Sequence, residues 1–120
     1  MVVRLFAASI VALTVFASAP LAHAQEAVTV QGEILDMACY MAKGSVGPSH
    51  KACAQLCAKQ GVPIGILTDA GEVYLLIEDH DNNAPYEAAK KLAGTRAEIA
   101  GKKFVKQGVA SIQISGAKGL

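Results

Sequence analysis

Two short apolar runs, Ile64–Thr68 and Val73–Glu78, stand on either side of Asp69-Ala70-Gly71, a tight-turn tripeptide. Runs of this length suit strands, and a turn this tight folds the second back on the first, so the middle of the chain reads as an antiparallel hairpin. A lone hairpin is marginal in water and needs further strands or a helix against one face. The rest of the chain has to supply them.

Ala27 to Met37 alternates Val28, Val30, Gly32 and Ile34 with Thr29, Gln31, Glu33 and Leu35, which predicts a long first strand that bends at its glycine. The Gly/Pro-punctuated stretch Lys43 to Pro48 follows. Ser49 is then placed to cap an alanine-rich helix over 50–60, closed by Gly61. After the hairpin, Asp79 to Asn83 reads as a polar loop, and Pro85 opens a second helix, Tyr86 to Ala93, closed by Gly94. Ala97 to Val105 and Val109 to Ser115 read as the fourth and fifth strands, with Gly116 to Leu120 as a loose tail. The expectation is a mainly β fold with two short helices. Five strands with a helix between the third and fourth is the element order of the OB-fold, a small Greek-key barrel, here with a helical Cys/His insertion at 39–61 between strands one and two.

The N-terminus is of another kind. Arg4 precedes a nearly unbroken apolar run from Leu5 to Ser18, and Ala22-His23-Ala24 ends it in a small-x-small pattern. This predicts a secretory signal peptide over 1–24, cleaved after Ala24, and a periplasmic or secreted location. The run is shorter than the ~20 residues of a spanning helix, so no membrane association is expected after cleavage. Residues 25–120 then suffice for one OB-like domain and are too few for two. Of the 11 Lys plus Arg, Arg4 leaves with the leader, so the remainder is formally neutral against 10 Asp plus Glu. That balance shows none of the basic surplus of a nucleic-acid binder. Tyr40, Tyr74, Tyr86 and Phe104 are the aromatics that remain, a poor supply for a base- or sugar-stacking platform.

All three cysteines, Cys39, Cys53 and Cys57, lie in this domain, and with His50 they form C-x10-H-x2-C-x3-C. Positions 50, 53 and 57 fall on one helix face, and the Gly/Pro-rich loop lets Cys39 fold over it. Three cysteines and one histidine make a four-coordinate set for zinc, although zinc ligands more often come as two close knuckles. Met37 and Met41 flank Cys39 two positions away on each side. In an extended chain all three point the same way, and such thioether and thiolate donors favour copper(I). The competing reading makes both methionines core filler. It also makes the cysteines a staple: a bridge from Cys39 to one helix cysteine, worth ~2–4 kcal/mol, with one thiol left over. Cys53 and Cys57 themselves are a poor pair, one turn apart on a rigid helix.

Among the remaining polar residues, His50 alone reads as an exposed first-turn side chain. His80, in an acidic loop with Glu78, Asp79 and Asp81, reads as solvated, because a calcium loop has stricter acidic spacing. Asp36, three residues before Cys39, either ends the strand or accepts a hydrogen bond from a ligand. No nucleophile–base pair, phosphate loop or paired-carboxylate motif is recognisable, so a non-catalytic role is expected.

Gly32-Glu33-Ile34-Leu35-Asp36-Met37-Ala38-Cys39-Tyr40, His50-Lys51-Ala52-Cys53-Ala54-Gln55-Leu56-Cys57 and Gly61-Val62-Pro63 together resemble a group of small exported bacterial proteins. That group has a G-x-[IV]-x-D-x-x-C-[YF] start, an H-x-x-C-A-x-x-C helix and a G-x-P turn. Leu92-Ala93-Gly94 and Gly108-Val109 also resemble the second half of bacterial OB-like domains. The resemblance implies an OB-like barrel with a Cys/His insertion and names no substrate. The reading that follows is an exported domain that binds a soft metal ion, copper ahead of zinc, through Cys39, His50, Cys53 and Cys57, with Met37 and Met41 as additional donors. A periplasmic partner for metal handover belongs to that reading. Two others stand beside it: a disulfide-stapled binding module for a small ligand or protein partner, and a thiol-redox protein.

Overall fold

The computed structural model describes residues 25–120; the expected signal peptide lies outside the described residues. The described chain runs β1 (Glu26–Asp36), α1 (Met37–Lys43), a 3-10 turn (Pro48–His50), α2 (Lys51–Lys59), β2 (Ile64–Thr68), β3 (Val73–Ile77), α3 (Ala84–Lys91), β4 (Arg96–Lys106) and β5 (Val109–Gly119). The strands close into a barrel in the order β1-β2-β3-β5-β4, with β4 returning to β1. Neighbours are antiparallel except β3 and β5, which run parallel. This is the OB-like barrel expected from the element order, with the helical insertion between β1 and β2. Among the described residues no helix is long and apolar enough to cross a membrane.

Barrel closure depends on β1 serving two neighbours. Residues 26–33 of β1 pair with β4 and residues 32–36 pair with β2, so the strand changes partner around Gly32. A Cβ at Gly32 would collide with the Leu67 carbonyl and come within 2.8 Å of the Thr68 Cα. Glycine is what lets the two backbones approach this closely. Period-2 alternation then puts Ile34, Ile64, Ile66, Leu76, Ile99, Ile112 and Ile114 inside, with Ala54 and Ala58 of α2, Ala89 of α3 and Ala93 just after it joining the same core. At its C-terminal end β1 departs from alternation: Ile34, Leu35 and Asp36 are all buried. Both α1 and α2 pack on β1 there, so the outer face is covered as well.

Three expectations need correction. The first strand stops at Asp36, and residues 37–43 form a helix, so the fold has three helices in place of two. Ser49 lies within the 3-10 turn, and His50 occupies the N-cap position of α2 without a side-chain cap bond. Residues 116–119, expected as a loose tail, belong to β5. They pair with β4 as far as Gly119–Ala97, and the Leu120 amide donates to the Arg96 carbonyl at 3.1 Å. A β-bulge at Ala100/Gly101 lets the two long strands curl and stay paired, a backbone effect that side-chain pattern does not register.

The insertion and the connection between α3 and β4 are each tied to β1. The Gly47 amide donates to Glu33 Oε1 at 2.7 Å, and the Gly94 amide donates to the Ile34 carbonyl at 2.8 Å. Gly94 has φ of +73°, and a Cβ there would lie 2.6 Å from the Lys51 Cα at the start of α2. Gly94→Ala should therefore cost about 1–3 kcal/mol, from left-handed strain plus displacement of α2. Gly116→Ala meets only an ordinary 3.8 Å contact with Ala100 and should stay within about 0.5 kcal/mol of wild type. Urea titration of both variants checks this, and equal midpoints would contradict it.

Candidate metal centre

Asp36 marks the turn from strand to helix. Its φ and ψ of −77° and 109° are extended, and Oδ1 accepts from the amides of Ala38 and Cys39 at 3.0 and 3.2 Å. These bonds satisfy two of the free N–H groups that open α1. Gly44, left-handed with φ of 66°, closes the helix with its amide directed to the Cys39 and Tyr40 carbonyls. α1 thus holds Cys39 one turn beyond Asp36. α2 contributes Cys53 and Cys57, beside the Ala54 and Ala58 positions that seat it on the core.

These elements bring Asp36, Cys39, Cys53 and Cys57 together. One ligand atom from each, a carboxylate oxygen and three Sγ atoms, lies within 4.8 Å of all the others. Tetrahedral ligands at about 2.3 Å from a zinc ion stand roughly 3.7 Å apart, so small side-chain motions suffice to close the group on an ion. Asp36 is buried, Cys39 and Cys57 are half-buried, Cys53 is exposed, and all three thiols are free. His50 stands against Asp36, its Nε2 3.8 Å from Oδ2. Asp36 Oδ2 and His50 Nε2 are both buried without a hydrogen-bond partner among the described residues. Buried polar atoms left this way cost about 1–3 kcal/mol each, so a native site that keeps two of them side by side requires an explanation.

The electrostatics follow from the same contacts. Burial alone would raise the Asp36 carboxyl, but the Cys39 amide, the Cys39 and Cys57 thiols and the Ala38 amide outweigh it and hold the group below the usual carboxylate range. The thiols respond in the opposite sense. Contact with the Asp36 carboxylate, then burial, then its charge raise Cys39, and the same causes together with Cys53 push Cys57 up to about 12. Without an ion, Asp36 is an anion faced by protonated Cys39 and Cys57. A cation held by Asp36, Cys39, Cys53 and Cys57 would have to displace those protons, so its uptake would release them.

Of the sequence-predicted residues, the three cysteines converge, and His50 lies at the edge of the group, next to Asp36. The carboxylate of Asp36 is itself a member. The methionine row does not form, because residues 37–43 are helical and Cys39 turns away from the face that Met37 and Met41 share. Met41 is 71% exposed, and the Met37 sulfur packs over Gly65. His80 is exposed beside Glu78, with 3.9 Å between Nδ1 and Oε1.

Fold and site together define a small OB-like barrel carrying a cysteine–aspartate cluster that can hold a metal ion, on a helical insertion between β1 and β2. Comparison with protein families, curated proteins and solved structures finds no match.

The Asp36 carboxyl titrates lower folded than unfolded, so on acidification the unfolded chain takes up its proton first. Its stabilising contribution is complete above the ordinary carboxylate pKa and is lost as pH falls through the folded value. Asp36→Asn keeps a capping acceptor and removes the charge, and it should flatten this part of the acid limb in the metal-free chain. Asp36→Ala should cost a further ~1–2 kcal/mol through loss of the cap. Urea midpoints measured from pH 2 to 7 on the three proteins check both; an unchanged acid limb in the Asn variant would rule out the first.

Proposed function

We propose that this chain is an exported, non-catalytic metal-binding protein that holds one zinc ion through Asp36, Cys39, Cys53 and Cys57, for binding or handover to a partner. His50 orients the Asp36 carboxylate. The observation that carries this reading is the convergence of three thiol sulfurs and an oxygen of the buried Asp36 carboxylate within 4.8 Å of one another. A cation would meet that carboxylate and the sulfurs at once. Thiolate, carboxylate and imidazole are the protein donors that zinc accepts. The sequence-based preference for copper rests on thioether and thiolate donors together; with Met37 and Met41 on another face of α1 the thiolates alone support it, and the carboxylate among them favours zinc. Export is supported by the leader pattern of residues 1–24 and by the resemblance to small exported bacterial proteins.

Titration of the reduced chain with zinc against a chromophoric chelator, with native mass spectrometry for stoichiometry, should give one ion per chain. Uptake should release protons and strengthen as pH rises. Asp36→Asn and Cys57→Ser should each weaken zinc by about tenfold or more, whereas Met37→Leu and Met41→Leu should leave it unchanged. Competition with copper(I) decides the metal. If the chain takes up neither ion even after full reduction, and as isolated carries one Cys39-containing bridge with one free cysteine, the stapled binding module replaces this reading.

A further inference from the structure

The exposure of the three thiols is unequal: Cys53 is open to solvent, while Cys39 and Cys57 are half-buried. All three Sγ atoms lie within 4.8 Å of one another. Cys53 and Cys57 sit one turn apart on α2, which Ala54 and Ala58 anchor in the core, so their backbone does not adjust to the torsion a bridge between them needs. Cys39 comes from a different element, α1, a helix of 7 residues with none buried, so a bridge from it to α2 is not bound by the fixed spacing of one helix turn.

We propose that the cluster is also a thiol–disulfide exchange centre, in which Cys53 meets an incoming disulfide, Cys39 resolves it, and the resulting Cys39–Cys53 bridge expels the metal ion. The expulsion rests on the zinc reading above; the exchange rests on the sulfur geometry alone. The oxidant is a small-molecule or protein disulfide, the class an oxidising compartment supplies. The Cys53 thiolate attacks one sulfur of that disulfide, forming a mixed disulfide and releasing one thiolate. Cys39, having given up its proton to solvent or its place on the ion, then attacks the Cys53 sulfur as a thiolate, forming the internal bridge and releasing the second thiolate. Two cysteine sulfurs are oxidised, one external disulfide is reduced by two electrons, and the two departing thiolates take up protons from solvent. Cys57 and Asp36 are the cluster donors that remain to the ion, too few for a stable zinc site. Cys57 ends as a free thiol, which accounts for the odd number of cysteines.

The test treats the reduced, zinc-loaded chain with oxidised glutathione, follows zinc by a chromophoric chelator, and maps bridges and adducts by peptide mass spectrometry. A Cys39–Cys53 bridge, an alkylatable Cys57 and release of zinc in step with bridge formation are expected. Cys39→Ser should accumulate glutathione on Cys53, and Cys53→Ser should slow the reaction by about tenfold or more. Cys57→Ser should still form the bridge, which separates exchange from any loss of metal affinity. A Cys53–Cys57 bridge, first adduct formation on Cys39 or Cys57, or no thiol reaction at all would overturn the exchange. Zinc held at one per chain after the bridge has formed would overturn the coupling. Mapping the metal-free chain in the same way tests the exchange whatever the zinc titration shows, so failure of the binding reading is seen separately.

Discussion

A single carboxylate connects barrel to insertion. Asp36 is the last residue of β1, and its Oδ1 starts α1 by accepting two amides, while its Oδ2 stays buried and free among the cysteines and His50. Remove the first role and α1 loses the cap that turns Cys39 back toward α2. Remove the second and the thiols lose the negative charge that distinguishes them from ordinary buried cysteines. One side chain thereby couples strand ending, helix start and site electrostatics. The position tolerates few substitutes: asparagine keeps the cap without the charge, and glutamate displaces both by a methylene in a site that is 1% exposed.

The barrel makes this arrangement rigid at little cost in chain. Closing five strands leaves the end of the barrel to be covered, and α2 and α3 do so with alanines, whose small side chains let helix backbones sit close to the core. Close seating is what brings the Cys53 and Cys57 positions of α2 to the level of Asp36. The Glu33–Gly47 hydrogen bond then limits how far the insertion can drift, and Gly94, itself held to β1 by its bond to the Ile34 carbonyl, lies close to Lys51 and fixes where α2 begins. Metal ligands held this way arrive from rigid elements, with a loop serving only as the connection between them.

The hairpin 64–77, the element order and the positions of the chemistry-bearing cysteines are legible in the sequence because each has a local cause: a tight turn, alternation, or ligand types collected on one helix face. α1 is not, although Asp36 and Gly44 are good cap residues, because a helix of 7 residues with none buried carries no apolar period. Two site assignments depend on that helix. An extended Met37–Cys39–Met41 row follows only if the segment is strand, and the role of Asp36 emerges only once the chain turns there. His50 is legible as a face neighbour of the cysteines, but helix geometry alone does not show that Asp36 stands between strand and cluster. The pairing of residues 116–119 depends on a bulge in the opposite strand and has no local signal.

The buried Oδ2 also weighs the competing accounts of the cysteines. A permanent bridge from Cys39 to α2 would stabilise the chain by ~2–4 kcal/mol, yet it would leave both Asp36 Oδ2 and His50 Nε2 without partners and would put a disulfide, which donates no hydrogen bond, beside a carboxylate. Unsatisfied groups at roughly 1–3 kcal/mol each offset most of that gain. Helix capping accounts for a polar acceptor at position 36 but not for a charged one, since asparagine would supply the cap without burying a charge among the thiols. A cation meets the carboxylate and the thiolates together, and places the imidazole where it can orient the carboxylate. Local violations of burial rules are expected where a site needs them. Here the violation and the donor set fall on the same few atoms.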